Sequence, residues 1–487
     1  MTAAEGRRPD GGPLVVGVDS STQSTKALVV DAATGEIVAR GQAPHRVSTG
    51  AGRESDPEQW WEALGEALRG CGEAARRAEG IAVGGQQHGL VTLDGAGRPV
   101  RPALLWNDVR SAPQRDRLVG ELGGAQGWAE RTGSVPAPAF TVTKWAWLLE
   151  NEPEAARRTA AVRLPHDYLT ERLSGQAATD RGDASGTGWW LGGDGSPAGR
   201  YDEDLLGRVG LAPALLPSVV APGEAAGTVR DGLDGLPLRP GAVVGAGTGD
   251  NMAAALGLGL RQGRPVLSLG TSGTVYAVSA RRPADPTGTV AGFADARGDW
   301  LPLACTLNCT LAVDRVAQVL GRDREDVEPG GSAVVLPFLD GERTPNLPYA
   351  SGLLHGLRHD TTGGQILQAA YDGAVYALLS ALDLVLDEDA DPAAPVLLIG
   401  GGARGTAWRE TVRRLSGRPV LVPEASELVA LGAAAQAAGL VTGEDPAEVA
   451  RRWGTDRGLL LDPVERDEAA LERIARTLEN AGPLLGG

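Results

Sequence analysis

Lysine is nearly absent from this sequence, and its scarcity excludes two common ways of binding a nucleotide. Of the 46 lysine and arginine residues, only Lys26 and Lys144 are lysine. A P-loop requires Gly-Lys followed by Ser or Thr, but a Thr precedes each of these lysines. The Val-Ala-Ile-Lys strand of protein kinases is missing for the same reason. If this chain binds ATP, it does so with another architecture.

Cysteines and long apolar runs are also scarce. The three cysteines, Cys71, Cys305 and Cys309, form no Cys-x-x-Cys pair and are too few for a disulfide framework. No apolar run approaches the ~20 residues that span a bilayer, and residues 1–12 lack the apolar stretch of a signal peptide. We therefore expect a disordered tail over residues 1–12, a cytoplasmic location and no membrane partner.

Positive charge is in deficit, since the formal net charge is −16. A negative field of this size opposes binding to nucleic acid, so we expect no such partner. The same field repels ATP. A nucleotide site would therefore need backbone N–H groups, a few local cations and bound Mg²⁺.

The length of 487 residues is too great for one hydrophobic core and predicts two domains of roughly 200–250 residues each. Two β-branched runs, residues 14–18 and 27–30, flank a polar bend and predict a β-hairpin. Residues 265–279 repeat that pattern. We expect an N-terminal domain over residues 13–245 and a C-terminal domain over residues 246–487, each with helices covering a sheet.

The turn of each hairpin is rich in Gly, Ser and Thr, at residues 20–25 and 270–273. Such turns expose consecutive N–H groups that bind phosphate oxygens. A third glycine turn, residues 400–402, follows a buried strand and lets an adenosine approach the backbone. The three turns predict a nucleotide held in a cleft between the domains. The alternative is that all three are ordinary turns.

Asp19 and Asp250 each stand where an apolar strand ends. A lone carboxylate there is costly unless an ionic partner satisfies it, and a phosphate-bound Mg²⁺ is such a partner for Asp19. Phosphorylation of a hydroxyl requires a base near the acceptor oxygen, and Asp250 is the candidate. The alternatives are a turn cap for Asp19 and the N-cap of a helix at Met252 for Asp250.

Polar segments follow several of the predicted strands. His88 lies in the segment Gln-Gln-His-Gly, residues 86–89, which suits hydrogen bonding to sugar hydroxyls; a structural histidine is the alternative. Residues 163–169 and 180–190 are typical of a surface that lines a site.

One glycine pattern favours a different enzyme class. Gly400-x-Gly402-x-x-Gly405 matches the dinucleotide fingerprint, and Glu424 ends the next predicted strand. Too few residues follow Gly405 for a complete six-stranded dinucleotide domain, and an NAD enzyme would leave Asp19 and the two hairpin turns without a role.

The order of these features resembles that of the FGGY carbohydrate kinases, which belong to the superfamily of actin and the heat-shock chaperone ATPases. Residues 140–151 (FTVTKWAWLLEN) resemble the first family signature, with Ala139 where Gly, Ser or an aromatic is usual. Residues 352–372 (GLLHGLRHDTTGGQILQAAYD) resemble the second. The resemblance runs from residue 14 to about residue 445, gives Lys144 a role in the family, and implies two actin-like (ribonuclease H-like) α/β domains.

Further motifs resemble those of family members that phosphorylate D-xylulose. They comprise residues 86–89, 106–110, 164–169, 249–251 and 336–345. One departure is Gln87, which replaces the Met of a Gln-Met-His-Gly turn and adds hydrogen-bonding capacity beside His88. The implied reaction transfers phosphate from ATP to D-xylulose and uses Mg²⁺.

The resemblance also implies roles for individual residues. Asp250 would accept the proton of the sugar hydroxyl, and Asp19 would serve Mg²⁺ directly or through water. Sugar contacts would come from Gln87, His88, Trp106, Asp108 and Asn251. ATP contacts would come from Ser21, Thr22, Ser24, Thr25, Lys26, Gly270, Thr271, Ser272, Gly401, Gly402 and Ala403. A homodimer is expected at the family level.

Two other functions stay open at this point. One is a kinase of the same family for another ketose or polyol, such as ribulose, gluconate or glycerol. The other is a non-catalytic actin-like protein that binds a nucleotide as a switch. The presence of both Asp19 and Asp250 argues against the second.

Overall fold

The computed structural model describes residues 11–48, 52–193, 195–233, 235–388 and 390–485. Of the tail predicted over residues 1–12, residues 1–10 lie outside the described part of the chain. Gly12 is described, and its backbone N–H donates to Oδ2 of Asp31 at 2.9 Å.

Strands and helices alternate along most of the chain. The strands are β1 (Leu14–Ser20), β2 (Ser24–Asp31), β3 (Ile37–Pro44), β4 (Glu54–Ser55), β5 (Ala78–Gly85), β6 (Val91–Leu93), β7 (Ala103–Leu104), β8 (Ala161–Arg163), β9 (Ala178–Asp180), β10 (Trp190–Leu191), β11 (Arg200–Tyr201), β12 (Ser218–Val220), β13 (Ala225–Thr228), β14 (Val243–Gly245), β15 (Thr248–Gly249), β16 (Val266–Leu269), β17 (Gly273–Tyr276), β18 (Val290–Ala294), β19 (Trp300–Thr306), β20 (Val334–Leu336), β21 (Leu353–His355), β22 (Val396–Ile399), β23 (Val420–Pro423) and β24 (Gly458–Leu461).

The helices are α1 (Pro57–Cys71), α2 (Glu73–Arg76), α3 (Ala112–Glu121), α4 (Gly124–Thr132), α5 (Thr141–Asn151), α6 (Pro153–Arg158), α7 (Pro165–Ser174), α8 (Arg181–Ser185), α9 (Glu203–Arg208), α10 (Asp250–Gly257), α11 (Thr310–Leu320), α12 (Gly363–Val385), α13 (Thr406–Ser416), α14 (Leu428–Thr442), α15 (Pro446–Trp453) and α16 (Glu468–Leu485). Short 3-10 turns occur at Pro213–Leu215 and Gly401–Arg404. In the described part of the chain, no helix combines the length and the apolar character needed to cross a membrane.

The chain divides into two compact units. Unit 1 consists of the described residues of 1–260 together with Gly292–Trp300 and Ala425–Asp456, and unit 2 consists of the remainder. This division differs from the boundary predicted between residues 245 and 246. The predicted boundary would place Asp19 and Asp250 in different domains, whereas both belong to unit 1.

The sheet of unit 1 has the strand order β13-β14-β5-β1-β2-β3, and β15 also pairs with β5. Strands β1 and β2 form the predicted antiparallel hairpin, whereas β1, β14 and β15 each run parallel to β5. Alternate residues of β1 enter different cores, as a strand requires: Val16 and Val18 pack with α1, and Val15 packs with α14.

Helix α14 returns from the far end of the sequence to cover the second face of this sheet. A Cβ atom on Gly17 of β1 would lie 1.9 Å from the carbonyl oxygen of Ala430, and one on Gly432 would lie 1.8 Å from that of Ala253. The absence of side chains at Gly17 and Gly432 therefore lets α14 lie directly on β1 and on α10, the helix that begins with Asp250. This close packing explains why α10 belongs to unit 1.

Unit 2 is built on a second mixed sheet, which contains β19, β17, β16, β22, β23 and β24 in that order. Its predicted hairpin, β16–β17, is antiparallel, and β16 runs parallel to β22 with Ser268 opposite Ile399. The core lies between this sheet and helices α12 and α13, where Tyr371 and Trp408 meet edge to face at 4.9 Å. The predicted α/β architecture is thus present in both units.

We expect Gly432→Ala to destabilise the protein, because a methyl group at this position collides with the backbone of α10. Overpacking of this kind costs about 1–3 kcal/mol of the free energy of unfolding. The matched control is Gly120→Ala in α3, where a Cβ meets no atom within 4 Å and alanine should stabilise the helix by about 0.5–1 kcal/mol. Denaturant unfolding measures both changes, and equal effects at the two positions would contradict this packing argument.

Candidate functional site

One edge of the unit 1 sheet collects most of the predicted site residues. Strands β1, β5 and β15 are parallel neighbours, with Asp19 opposite Gly84 and Gly249 opposite Gly85. The carboxyl ends of parallel strands meet at one edge of a sheet, which is where open α/β folds bind ligands. Asp19 lies at the end of β1, the segment 86–88 follows β5, and Asp250 follows β15. These residues therefore lie close together.

Asp19 is almost completely buried, with 6% of its surface exposed. Burial raises the pKa of its carboxyl group above the usual range, while the Ser21 hydroxyl, which donates to Oδ1 at 2.5 Å, and the charge of Lys26 act in the opposite direction. Lys26 itself forms an ion pair with Glu427 at 2.7 Å. Asp19 therefore does more than cap a turn, because its carboxylate also interacts with the charges of Lys26 and Glu427.

Asp250 occupies the first position of α10, and Gly249 is the N-cap, so the helix begins two residues before the predicted Met252. Its Oδ1 accepts hydrogen bonds from the backbone N–H and the side-chain Nδ2 of Asn251, at 2.8 and 2.9 Å. Burial, followed by the charges of Asp19 and Asp183, raises the pKa of Asp250 to about 7. A carboxylate with this pKa can take up a proton near neutral pH.

His88 is held in an unusual backbone conformation, with φ of 63°. Its ring stacks on Phe140 with centroids 4.8 Å apart, and Nδ1 lies 2.8 Å from the carbonyl oxygen of Gly186. A carbonyl oxygen only accepts, so Nδ1 carries the proton, and Nε2 is an acceptor whenever the imidazole is neutral. His88 therefore has the fixed ring orientation that recognition of a hydroxyl group requires.

Lys144 explains how His88 keeps this conformation. The lysine is fully buried in α5, and Nζ donates to the carbonyl oxygens of His88, at 2.7 Å, and Ala139. Burial lowers the pKa of Lys144 to about 7, against the opposing charges of Asp108 and Asp183. The sequence resemblance gave Lys144 a family role, and the structure assigns it the support of the His88 turn.

Trp106 and Asp108 differ in their availability to a ligand. The Trp106 ring is 43% exposed, and its N–H donates to the hydroxyl of Thr22 at 3.0 Å. Asp108 is 2% exposed; its oxygens accept from the backbone N–H of Arg53 and from both the backbone and the side chain of Arg110. The structure thus gives Asp108 a supporting role, which differs from the predicted sugar contact.

The predicted phosphate residues of unit 1 surround the β1–β2 turn. Ser21 and Ser24 are partly exposed and close the turn through a hydrogen bond from the N–H of Ser21 to the carbonyl of Ser24, at 3.0 Å. Thr22, which is also partly exposed, points to Gln86, with 3.4 Å between their side-chain oxygens. Thr25, by contrast, is fully buried beside Ser20, so its side chain faces the interior.

The predicted nucleotide-binding residues of unit 2 lie close together because two glycines there have no side chains. A Cβ on Gly400 would lie 2.7 Å from the carbonyl oxygen of Leu269, and one on Gly402 would lie 2.8 Å from its Cβ atom. The turn with Gly401 and Ala403 therefore lies against the end of β16, where Gly270, Thr271 and Ser272 follow. Thr310 joins this group by donating to the carbonyl oxygen of Gly270 from its N–H and its hydroxyl. Sequence analysis missed Thr310.

Sequence analysis also missed a buried ion cluster behind the site. His166, Asp167 and Asp183 are each at most 1% exposed, and Asp180 is 5% exposed. These residues come from the segments 163–169 and 180–190, which were predicted to form a surface lining a site. Their burial inside unit 1 is tolerated because they pair with one another.

A magnesium ion fits Asp19 only with help from other ligands. Among the described residues, no three His, Cys, Asp or Glu side chains converge in a way that could hold a metal. Mg²⁺ commonly takes one or two carboxylates and completes its octahedron with water and phosphate oxygens. Asp19, with one oxygen bonded to Ser21, suits this partial role.

Two family models match the chain. The N-terminal domain of the FGGY family of carbohydrate kinases matches residues 14–257, and the C-terminal domain of the same family matches residues 266–440. The chain belongs to the FGGY family of carbohydrate kinases. Membership in this family confirms the predicted two-domain α/β fold and implies ATP as the phosphoryl donor of this FGGY kinase. It leaves the dinucleotide alternative at Gly400 without support.

The relatives of this FGGY kinase match it over nearly their full length. The xylulose kinases of Streptomyces coelicolor and Streptomyces rubiginosus are each 76% identical over 485 residues, which covers 100% of this chain and 98% of each relative. The crystal structure of xylulose kinase from Bifidobacterium adolescentis aligns with a TM-score of 0.82 at 36% identity, covering 96% of this chain and 99% of that one.

Lys144→Met should destabilise this FGGY kinase by about 1–3 kcal/mol, because the buried carbonyl of Ala139 loses the donor that Lys144 supplies. The carbonyl of His88 keeps only the longer hydrogen bond from the Thr141 hydroxyl, at 3.3 Å. We also expect the KM for the sugar to rise, since the His88 turn loses its support. Lys26→Met is the matched control, because Lys26 makes a partly exposed ion pair of about 0–1 kcal/mol. Denaturant unfolding and sugar kinetics test this; equal losses of stability for the two lysines would contradict it.

Proposed function

We propose that this chain phosphorylates D-xylulose with ATP, giving D-xylulose 5-phosphate and ADP. The 76% identity to two xylulose kinases across the whole chain is the observation that carries this proposal. The site residues support it, because a hydroxyl-recognising turn and a basic carboxylate lie at one sheet edge. A cytoplasmic location and a homodimer, both expected from the sequence, stay predictions.

Asp250 is the proposed general base. The oxygen of the sugar hydroxyl bonds to the γ-phosphorus, the bond from that phosphorus to ADP breaks, and Asp250 takes the hydroxyl proton. Its pKa of about 7 supports this role, since a base works best when its pKa lies near the working pH. The two hydrogen bonds from Asn251 hold Oδ1, which leaves Oδ2 to face the hydroxyl.

The sugar is proposed to bind at the edge of the unit 1 sheet. His88 would accept or donate a hydrogen bond through Nε2, and the exposed face of Trp106 would cover the apolar side of the sugar. Gln87 and Asn251 would set the polar surroundings of the reacting hydroxyl. Asp108 is proposed to support the site from inside, because its oxygens accept hydrogen bonds from Arg53 and Arg110.

ATP is proposed to bind through the glycine-rich and hydroxyl-rich turns that the sequence predicts. The Gly270–Ser272 turn and Gly401–Ala403 of unit 2 would bind through their backbone, as glycine turns do. Ser21, Thr22 and Ser24 of unit 1 would supply hydroxyl and N–H donors to phosphate. Asp19 would hold Mg²⁺, which neutralises phosphate charge when bound. Lys26 would contribute positive charge near these groups, and Thr25 would support the turn from inside.

Asp250→Asn should lower kcat by about 100- to 10,000-fold, the usual contribution of a general base. The amide keeps the size of the side chain but accepts no proton, so sugar affinity should change little. A coupled assay of ADP release measures kcat, and isothermal titration measures sugar binding. Asp116→Asn on the exposed surface of α3 is the control. Turnover near that of the unmodified enzyme would contradict the role of Asp250.

A substrate panel tests the proposed sugar. We expect kcat/KM for D-xylulose to exceed the values for ribulose, gluconate and glycerol by at least about tenfold, because hydrogen-bonding sites reject analogues that leave their polar groups unpaired. The same ADP-release assay serves for all four compounds. A higher kcat/KM for any of the other three would replace D-xylulose as the substrate and leave the phosphotransfer mechanism intact.

A further inference from the structure

The buried cluster around His166 faces the site from the inside of unit 1. Nε2 of His166 lies 3.2 Å from Asp183, 3.4 Å from Asp167 and 3.6 Å from Asp180. Burial alone would discharge the imidazole, but these three carboxylates outweigh it and raise the pKa of His166 to about 9. The three carboxylates thus favour the protonated imidazole of His166.

Two of the three carboxylates have partners of their own. Asp180 accepts from the N–H groups of Gly182 and Asp183, at 2.7 and 3.0 Å, and from the hydroxyl of Thr248 at 2.7 Å. Oδ2 of Asp167 accepts from the N–H of Leu164 at 2.8 Å. These bonds fasten Asp180 to β15 and α8, and Asp167 to the start of α7.

Asp183 is different. Among the described residues, neither of its carboxylate oxygens has a well-aligned hydrogen bond. Burial raises the pKa of Asp183, while His166 and the amide of Gln87 act in the opposite direction. Asp183 thus links His166 to a residue of the site.

The side chains between Asp183 and Asp250 can alternate consistently as hydrogen-bond donors and acceptors. The ionised carboxylate of Asp250 can only accept, so the amide of Asn251 presents its NH₂ group there, at 2.9 Å. The same NH₂ group donates to Oε1 of Gln87, also at 2.9 Å. The opposite end of the Gln87 amide, Nε2, is then a donor that makes no hydrogen bond of regular geometry in the described part of the chain. Its interaction with the carboxylate of Asp183 lowers the pKa of that group.

Close packing keeps Gln87 in this place. A Cβ on Gly249 would lie 2.6 Å from Cγ of Gln87, and one on Gly85 would lie 3.0 Å from Cβ of His166. The glycines at the ends of β15 and β5 therefore let the Gln87 side chain and His166 approach the sheet edge. A methionine at position 87 would fill similar space but could neither accept from Asn251 nor donate to Asp183.

We propose that His166 and Asp183 are positioning residues that act on the base through Gln87: Asp183, held by His166, orients the Gln87 amide, which holds Asn251 in the orientation that donates to Asp250. This proposal rests on the proposed role of Asp250 as the base. It assigns Gln87 an internal relay function in addition to any contact with the sugar. Under this proposal, kcat depends on which of residues 87 and 183 donates the hydrogen bond and which accepts it. A purely structural cluster would not show this dependence.

The test exchanges donor and acceptor between positions 87 and 183. Gln87→Glu keeps the acceptor for Asn251 but places a second carboxylate against Asp183, and Asp183→Asn removes the acceptor for Gln87. We expect each single variant to lower kcat at least about tenfold, with the KM for ATP nearly unchanged. The double variant restores a donor opposite an acceptor and should return kcat to within about threefold of the unmodified enzyme.

Asp167→Asn is the matched control, because Asp167 also faces His166 and is similarly buried, but its Oδ2 is held by the N–H of Leu164. Combined with Gln87→Glu, it should give no recovery of kcat. Recovery in this control pair, or none in the Gln87→Glu, Asp183→Asn pair, would overturn the relay.

A second measurement covers the case in which Asp183→Asn does not fold. A crystal structure of Gln87→Met should show the Asn251 amide turned away from its present position, since its second acceptor is gone. An unchanged Asn251 side chain would overturn the proposal. The Asp250→Asn variant distinguishes the failure of this proposal from the failure of the proposed base. If the Asp250→Asn enzyme is active, Asp250 is not the base. If it is inactive and the Gln87→Glu, Asp183→Asn double variant recovers no kcat, only the relay is contradicted.

Discussion

The structure depends on the burial of like charges at the end of one sheet. Three parallel strands, β1, β5 and β15, end side by side and place the carboxylate of Asp19 close enough to that of Asp250 to oppose the ionisation of Asp250. In a chain with a net charge of −16, nothing in the overall field relieves this repulsion. Local groups must do so: the Ser21 hydroxyl and Lys26 for Asp19, and Asn251 for Asp250.

The same constraint explains the second layer of the site. Carboxylates inside a protein are tolerated when they are paired and hydrogen-bonded, and removal of one partner is costly. His166 faces three buried aspartates, and Lys144 donates to the carbonyl groups of His88 and Ala139. The carboxylate of Asp250 and the His88 turn are therefore surrounded by buried polar side chains of unit 1.

Local sequence patterns predicted what depends on local structure. The two hairpins, the turn at residues 400–402 and the placement of Asp19, His88 and Asp250 at strand ends all follow from apolar periodicity and turn composition. The return of α14 to the first sheet could not be predicted in this way, since the contact between Gly17 and Ala430 joins residues far apart in the chain. The ion cluster was misread as surface because polar residues in a segment do not reveal whether their partners lie in water or in the protein. Asp108 matched a motif, but its engagement by Arg53 and Arg110 is a tertiary property.

The three-segment composition of unit 1 has a consequence for biosynthesis. A nascent chain that has released only its first 260 residues from the ribosome possesses β1, β5 and α10 but not the helix that covers them. Val15, Ala82 and Leu28, which pack against α14 in the finished protein, then face solvent while unit 2 is being translated. Unit 1 can complete its fold only after residue 456 has emerged, so the half of the enzyme that is begun first is among the last parts to become stable.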